Sequence, residues 1–419
     1  MTRSQVPESP RDPVVPARHP AERATVPVIG PLVKMLGIKP PNDREWAELG
    51  EALTVGDRPM DELIDWMYTA GMGKVRPLFD QALAHGIDSI PDAPEPLRAF
   101  FEQVETPPSW VDWDLIALGE QTFQRAGLDG VYMARDVPFL GGFVASGINR
   151  TLLLTNTGKS GATGGGQRFA ETLQWALDVI AEDGLRPGGK GFRSTLHVRL
   201  IHTFVRRHVG NLPEWSAQEW GVPINQTDMG VTILGALFAP AVTGMMMGNL
   251  FTPRELDAIA HLTRYTGWLM GIEERYLPTS FADATEKLYH YLTALTAPDE
   301  SSARLARPMA QDPLTWHYPN LASMRRKIAW AQHLSISTAF LGRGRMRELG
   351  LPDYMPPWYP VLRFPVNLTR SGAAMIVPGL RARQARAGLR AQRAFMDTLI
   401  GPKRDGAIGG SVNYLHHAA

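Results

Sequence analysis

Residues 197–207 read HVRLIHTFVRR, and how this stretch folds decides how the rest of the chain is read. Wound at about 100° per residue, Thr195, Arg199, His202 and Arg206 fall in one narrow stripe. Leu200, Ile201, Phe204 and Val205 spread over the other side. The helical period fits. The charge pattern is unusual, because the stripe centres one imidazole between two guanidiniums with no carboxylate to pair them.

Helix signals continue outward in both directions. Asn42 or Asp43 can cap a helix through Glu45 and Trp46, and Asp112 or Asp114 can cap WDLIALGEQTFQRAG, which is expected to stop at Gly127. Thr252-Pro-Arg-Glu255 is a capping box with proline at the first helical position, opening a helix through Leu256, Ile259, Leu262 and Trp268. Periodic segments follow at Thr285–Leu295, Met324–Phe340 and Leu380–Leu399. The Pro-rich piece LGLPDYMPPWYPVLRFP reads as a connection wrapping a helical body. Few runs alternate with period two, so the expected class is all-α. The expected organisation is a Pro-rich extended or disordered arm over 1–41, a single domain over 42–400, and a flexible tail over 401–419.

The most apolar run, Met229 to Leu250, carries no charge and is about long enough to span a bilayer. Pro240 and the interrupting glycines favour a buried helix pair kinked at that proline, with peripheral membrane contact as the lesser expectation. The first thirty residues show no apolar signal core and no twin-arginine start, which points to a cytoplasmic setting.

Composition narrows the chemistry. A formal net charge of +1 supplies no clustered excess for nucleic acid. The absence of cysteine excludes disulfides, thiolate zinc, iron–sulfur clusters and covalently attached haem. Gly158-Lys159-Ser160 imitates a phosphate loop, but Leu153 stands where that loop needs glycine. His197 and His202, five apart, diverge on a helix and cannot share a zinc ion, and G-x-S-x-G is missing.

A haem suits the stripe. Its iron takes a neutral imidazole, and its propionates take cations one turn to either side. On this reading His202 is the axial ligand and Arg199 and Arg206 face the propionates. A second segment, Arg168-Phe-Ala-Glu-Thr-Leu-Gln-Trp175, sets Arg168, Thr172 and Trp175 on one face with Glu171 beside them. An Arg168–Glu171 surface pair explains that spacing equally well.

The ordered series PPSWVDWDLIALGEQ, LTNTG, RFAET, RLIHTFVR, GVPINQTDMGVT and LFTPRELDAIAHLTRYTGWLMGI resembles the latex-clearing-protein and MpaB-type haem oxygenase family over roughly Pro107 to Ile272. The resemblance implies a globin-like helical core with additional N- and C-terminal helices, non-covalent haem b, and O2-dependent cleavage of a carbon–carbon double bond. His202 then matches the proximal ligand, Arg199 and Arg206 its helix partners, and Arg168 and Thr172 the haem-pocket pair. Two departures stand out. Glu171 replaces the lysine that rubber-cleaving members carry before the threonine, and no Asp or Glu occurs between Val137 and Ala170. Glu171 is the expected general base, and Thr172 the expected donor to bound oxygen. The missing export signal argues against polyisoprene and for a small lipophilic alkene. The rival expectation is a non-catalytic haem- or lipid-binding carrier or sensor.

Overall fold

The computed structural model describes residues 15–24, 26, 29–155 and 164–401. Residues 158–160, most of the N-terminal arm's first half and the tail beyond 401 lie outside them. Eighteen α-helices and no strand occur among the described residues. The chain is all-α.

The first five helices are α1 (Gly30–Met35), α2 (Asp43–Glu51), α3 (Arg58–Ala70), α4 (Met72–His85) and α5 (Glu95–Glu105). Next come α6 (Trp113–Ala134), α7 (Ser146–Leu154), α8 (Gly164–Val179), α9 (Lys190–Gly210) and the single turn α10 (Ala217–Trp220). There follow α11 (Gln226–Ile233), α12 (Ala239–Met246), α13 (Pro253–Leu269) and α14 (Phe281–Thr293). The last are α15 (Glu300–Gln311), α16 (Ala322–Glu348), α17 (Trp358–Ile376) and α18 (Leu380–Ile400).

Local chemistry explains the starts. Asn42 and Glu45 form a reciprocal capping box on α2, and Thr252 and Glu255 do the same on α13. Glu255 does further work there: its other oxygen binds Arg125 of α6 at 2.5 Å, both side chains buried. Asp112 caps α6 by accepting from the N–H groups of Asp114 and Leu115.

Two boundaries differ from expectation, and a third is extended. Helix α6 breaks at Gly127 as expected, and a second helical segment follows it. That glycine takes φ +58°, ψ −145°, and the helix resumes to Ala134. The break lets α18 come close, since a Cβ on Gly388 would lie 2.0 Å from the Gln124 carbonyl oxygen. The Pro-rich stretch is not all connection. Pro360 sits in the first turn of α17, where an N–H has no helical partner anyway, and Pro365 gives up one bond inside it. The described part of residues 1–41 includes α1, and Ala17 and Arg18 donate their N–H groups to the carbonyls of Gln218 and Glu219.

The apolar run is mostly buried inside the protein. Helices α11 and α12 are joined by a π turn, Leu234–Phe238, and Pro240 stands two residues after its end, in the first turn of α12. A second π turn, Arg135–Phe139, contains Pro138. A proline cannot donate the i→i−4 bond, and the wider turn absorbs that loss. The two π turns touch each other and continue the α6 and α11–α12 columns beside the α8–α9 hairpin.

Candidate active site

Helices α8 and α9 are joined by a short link, residues 180–189, and pack side by side, so they run antiparallel. Trp175 Nε1 donates to Thr195 Oγ1 across them at 3.0 Å. Seven residues back along α8 is Arg168, and seven onward along α9 is His202. Seven residues make close to two turns, so Arg168 and His202 face each other in the same register. Thr172 stands opposite Val198 between the two levels.

The arginines flanking His202 are not short of carboxylates. Arg199 makes a two-pronged pair with Asp57, Nε to Oδ2 at 2.6 Å and Nη2 to Oδ1 at 2.8 Å, and reaches the Leu269 carbonyl at 3.3 Å. Arg206 holds both oxygens of Asp61 through Nε at 2.8 and 3.1 Å, and also bonds the Ile224 carbonyl and the Thr203 hydroxyl. Arg207, outside the stripe, pairs with Asp65. The expectation that the stripe lacks a carboxylate partner is therefore corrected. Its charge is matched by α3, whose start carries aspartates at i, i+4 and i+8. The spacing of Asp57, Asp61 and Asp65 was the signal that would have found them. Gly271 makes room: it has φ +89°, and a Cβ there would lie 2.3 Å from Asp57 Oδ2.

His202 is the group left over. Its Nδ1 is buried without a hydrogen-bond partner. Its Nε2 makes no hydrogen bond among the described residues either, yet is not sealed off. The side chain is half-buried. Burial pushes its pKa down to about 4, the Arg206 charge lowers it further, and Asp57 opposes them. The imidazole is neutral at any ordinary pH.

Arg168 has the same character. It is enclosed but partly accessible, and burial draws its guanidinium down to about 10, with Glu171 opposing. It remains a cation. The rings of Phe139 and Phe143 lie 5.7 and 5.9 Å from the guanidinium carbon, and among the described residues it makes no hydrogen bond or ion pair. The π turn delivers Phe139 to it. Glu171 accepts instead from Gln167 Nε2 at 3.2 Å. The Thr172 hydroxyl donates to the Arg168 carbonyl at 2.9 Å, so in this rotamer it turns only lone pairs outward.

Among the described residues, then, His202 makes no hydrogen bond and Arg168 makes neither a hydrogen bond nor an ion pair, and both stand at one level of the hairpin. Residues 130–377, more than half of the chain, match the family described as "ER-bound oxygenase mpaB/B'/Rubber oxygenase, catalytic domain". The chain belongs to this family. A curated relative, the rubber oxygenase of Streptomyces sp. (strain K30), is 25% identical over 220 residues, an alignment that spans 52% of this chain and 52% of the relative. The solved structure of latex clearing protein in the closed state superposes with a TM-score of 0.63 at 17% identity, covering 82% of this chain and 91% of that one. The second likeness concerns the fold, and it extends well outside the matched family segment.

Other histidines fall elsewhere. His197 lines an open surface cleft with Asp80, Asp178, Lys190 and Arg193, on the far side of α9. His290 Nε2 bonds the Lys39 carbonyl at 3.0 Å. Sequence reasoning missed a buried network: Arg135 Nη1 donates to Asp136 Oδ1 at 2.7 Å, and Asp136 Oδ2 accepts from His333 Nδ1 at 2.5 Å. Burial lowers the His333 pKa, although Asp136 raises it. It also missed Glu120, whose carboxyl burial pushes up to about 8, helped by the charge of Asp183. Neither carries a spacing motif that would have drawn attention. Among the described residues no three His, Cys, Asp or Glu side chains gather as a metal site.

Proposed function

We propose that this chain is a haem b-dependent oxygenase that uses O2 to cleave or oxygenate an alkene in a lipophilic small molecule. The observation that carries the proposal is His202: a neutral, half-buried ring without a hydrogen bond among the described residues. These residues fit a haem. His202 would bind its iron through a ring nitrogen, and Arg168 would pair with an anionic group of the cofactor by charge-assisted hydrogen bonds. Bound haem supplies a redox-active iron able to activate O2.

The rest is done by the protein. Arg199 and Arg206, expected to meet the propionates, instead anchor α9 to α3 and so fix where His202 points. The charge of Arg206 also keeps the imidazole unprotonated. Phe139, Phe143 and Val198 keep water away from the Arg168–His202 level. Glu171, one turn along α8 from Arg168, is the carboxylate proposed to accept a proton from the substrate. Thr172 needs a rotamer change before its hydroxyl can donate to a ligand.

Absorption spectra of the purified chain test the cofactor, and O2 consumption with formation of carbonyl products from lipophilic alkenes tests the activity. The expected result is a Soret band that His202→Ala loses, with turnover lost alongside it. A Soret band without O2 consumption for any alkene would move the chain to haem carriers or sensors. An unchanged spectrum in His202→Ala would remove the ligand assignment.

A further inference from the structure

Helix α17 is built inside out. At about 100° per residue, Asn367, Arg370, Ser371 and Ala374 lie on one side, and that side faces the protein. Asn367 is fully buried and donates from Nδ2 to the Met247 carbonyl at 3.2 Å. Arg370 Nη2 reaches the Arg125 carbonyl at 3.1 Å, and Ser371 is buried. Arg363 and Tyr359 both grip Asp129, at 2.7 Å each. Much of the rest of its circumference carries exposed apolar side chains: Val361 is 64% exposed, Leu362 62%, Phe364 44%, Leu368 41%, Met375 40% and Ile376 82%. Polar bonds hold the helix down, and its hydrophobic side chains gain nothing from doing so.

The patch does not end with α17. Met246 and Leu250, at the end of the buried apolar run, are 48% and 36% exposed, and the backbone between them is tied to α17 at Asn367. Charge is distributed just as unevenly. Residues 354–396 contain seven arginines and no acidic residue. Four of them, Arg383, Arg386, Arg390 and Arg393, are exposed along one stripe of α18, the next helix of the same hairpin.

We propose that this hairpin is a docking surface for an anionic lipid bilayer, with α17 lying in the plane of the interface and the α18 arginines at the headgroup level. An in-plane helix needs an apolar face to enter the acyl boundary and basic groups to meet anionic lipid, and both are present here. An apolar face this continuous is rarely left to water. A second copy of the chain fits less well, because a two-fold contact through α17 would bring one arginine stripe toward another. The proposal stands independently of the cofactor.

The test is co-sedimentation of the full chain with phosphatidylcholine vesicles and with vesicles containing phosphatidylglycerol. The chain should pellet with the anionic vesicles, less so as salt rises. Phe364→Asp with Leu368→Asp should lower partitioning by about tenfold or more. Arg386→Ala with Arg390→Ala should remove much of the salt-sensitive part. All four positions are exposed, so circular dichroism melts should match the wild type. A wild-type chain that stays in the supernatant with both vesicle types overturns the proposal. So does binding that ignores the Phe364 and Leu368 changes. A non-binding dimer that Phe364→Asp splits, seen by light scattering, would assign the face to a second copy instead.

Discussion

The α8–α9 hairpin and α17 both turn polar groups toward the protein, yet they leave opposite things unmatched. Around α9 the buried charges are settled by α3, and what remains is an imidazole and a guanidinium that make no hydrogen bond among the described residues. Along α17 the polar groups are settled by Asp129, Met247 and Arg125, and what remains is a row of apolar side chains. Burying an unpaired polar group and exposing an apolar row are both costly. The leftover in each place matches the counterpart proposed for it: a coordinating, anionic ligand at the hairpin and a lipid surface at α17.

The sharpest way to break this comparison is to turn a settled charge into an unsettled one. Arg199→Met leaves Asp57 buried and alone, and should cost about 3–5 kcal/mol of stability. Thermal melts of the ligand-free chain would show it, and a wild-type melting temperature would mean that the pair anchors nothing.

The pH dependence of stability should come next in size. The His202 pKa is about 4 in the folded chain against about 6.5 unfolded. Between those values the unfolded state binds the extra proton, so stability rises with pH through about 4 to 6.5 and is full above that window. Each tenfold difference in proton affinity counts roughly 1.4 kcal/mol. Denaturant titrations of wild type and His202→Leu should diverge inside the window and run parallel above it. Parallel curves throughout would place the ring in water.

Arg168 should behave in the opposite way to Arg199. Its charge has no described protein partner to strand, so Arg168→Met should leave the ligand-free melt unchanged or raise it. Haem affinity should nonetheless fall, read by haem transfer to an apo-globin acceptor. A large loss of ligand-free stability would show that Arg168 is structural after all. The smallest effect on the fold belongs to Glu171→Gln, within about 0.5 kcal/mol as for an ordinary surface change. Haem content should hold while turnover drops by the ~10²–10⁴-fold typical of a lost general base. Equal turnover at equal haem content would take Glu171 out of the reaction.

Much of this was legible locally. The caps at Asn42, Asp112 and Thr252 are short-range signals, and each starts a helix where it was expected. Periodicity at 197–207 revealed the helix and its odd stripe. The partners of that stripe were not legible, because Asp57 and Arg199 are 142 positions apart and only packing brings them together. The break at Gly127 was legible, but the helical segment that follows it to Ala134 and the close approach of Gly388 were not. Proline density concealed α17, because Pro360 falls at a position where a helix tolerates it. Period and charge also say nothing of which side of α17 faces out. Only the contacts of Asn367 and Arg363 decide that.

Asp57 and Asp61 stand well before residue 130, where the match to the family begins. A fragment trimmed to residues 130–377 would keep Arg199, Arg206 and His202 but lose the acids that neutralise the first two. Two arginines would then face the interior uncompensated, and α9 would have to unwind or hydrate to relieve them. The segment matched to the family is thus smaller than the set of residues that balances its own buried charges. Any swap of that stretch between relatives has to carry a compatible α3 with it, or import a helix whose charges no longer find their mates.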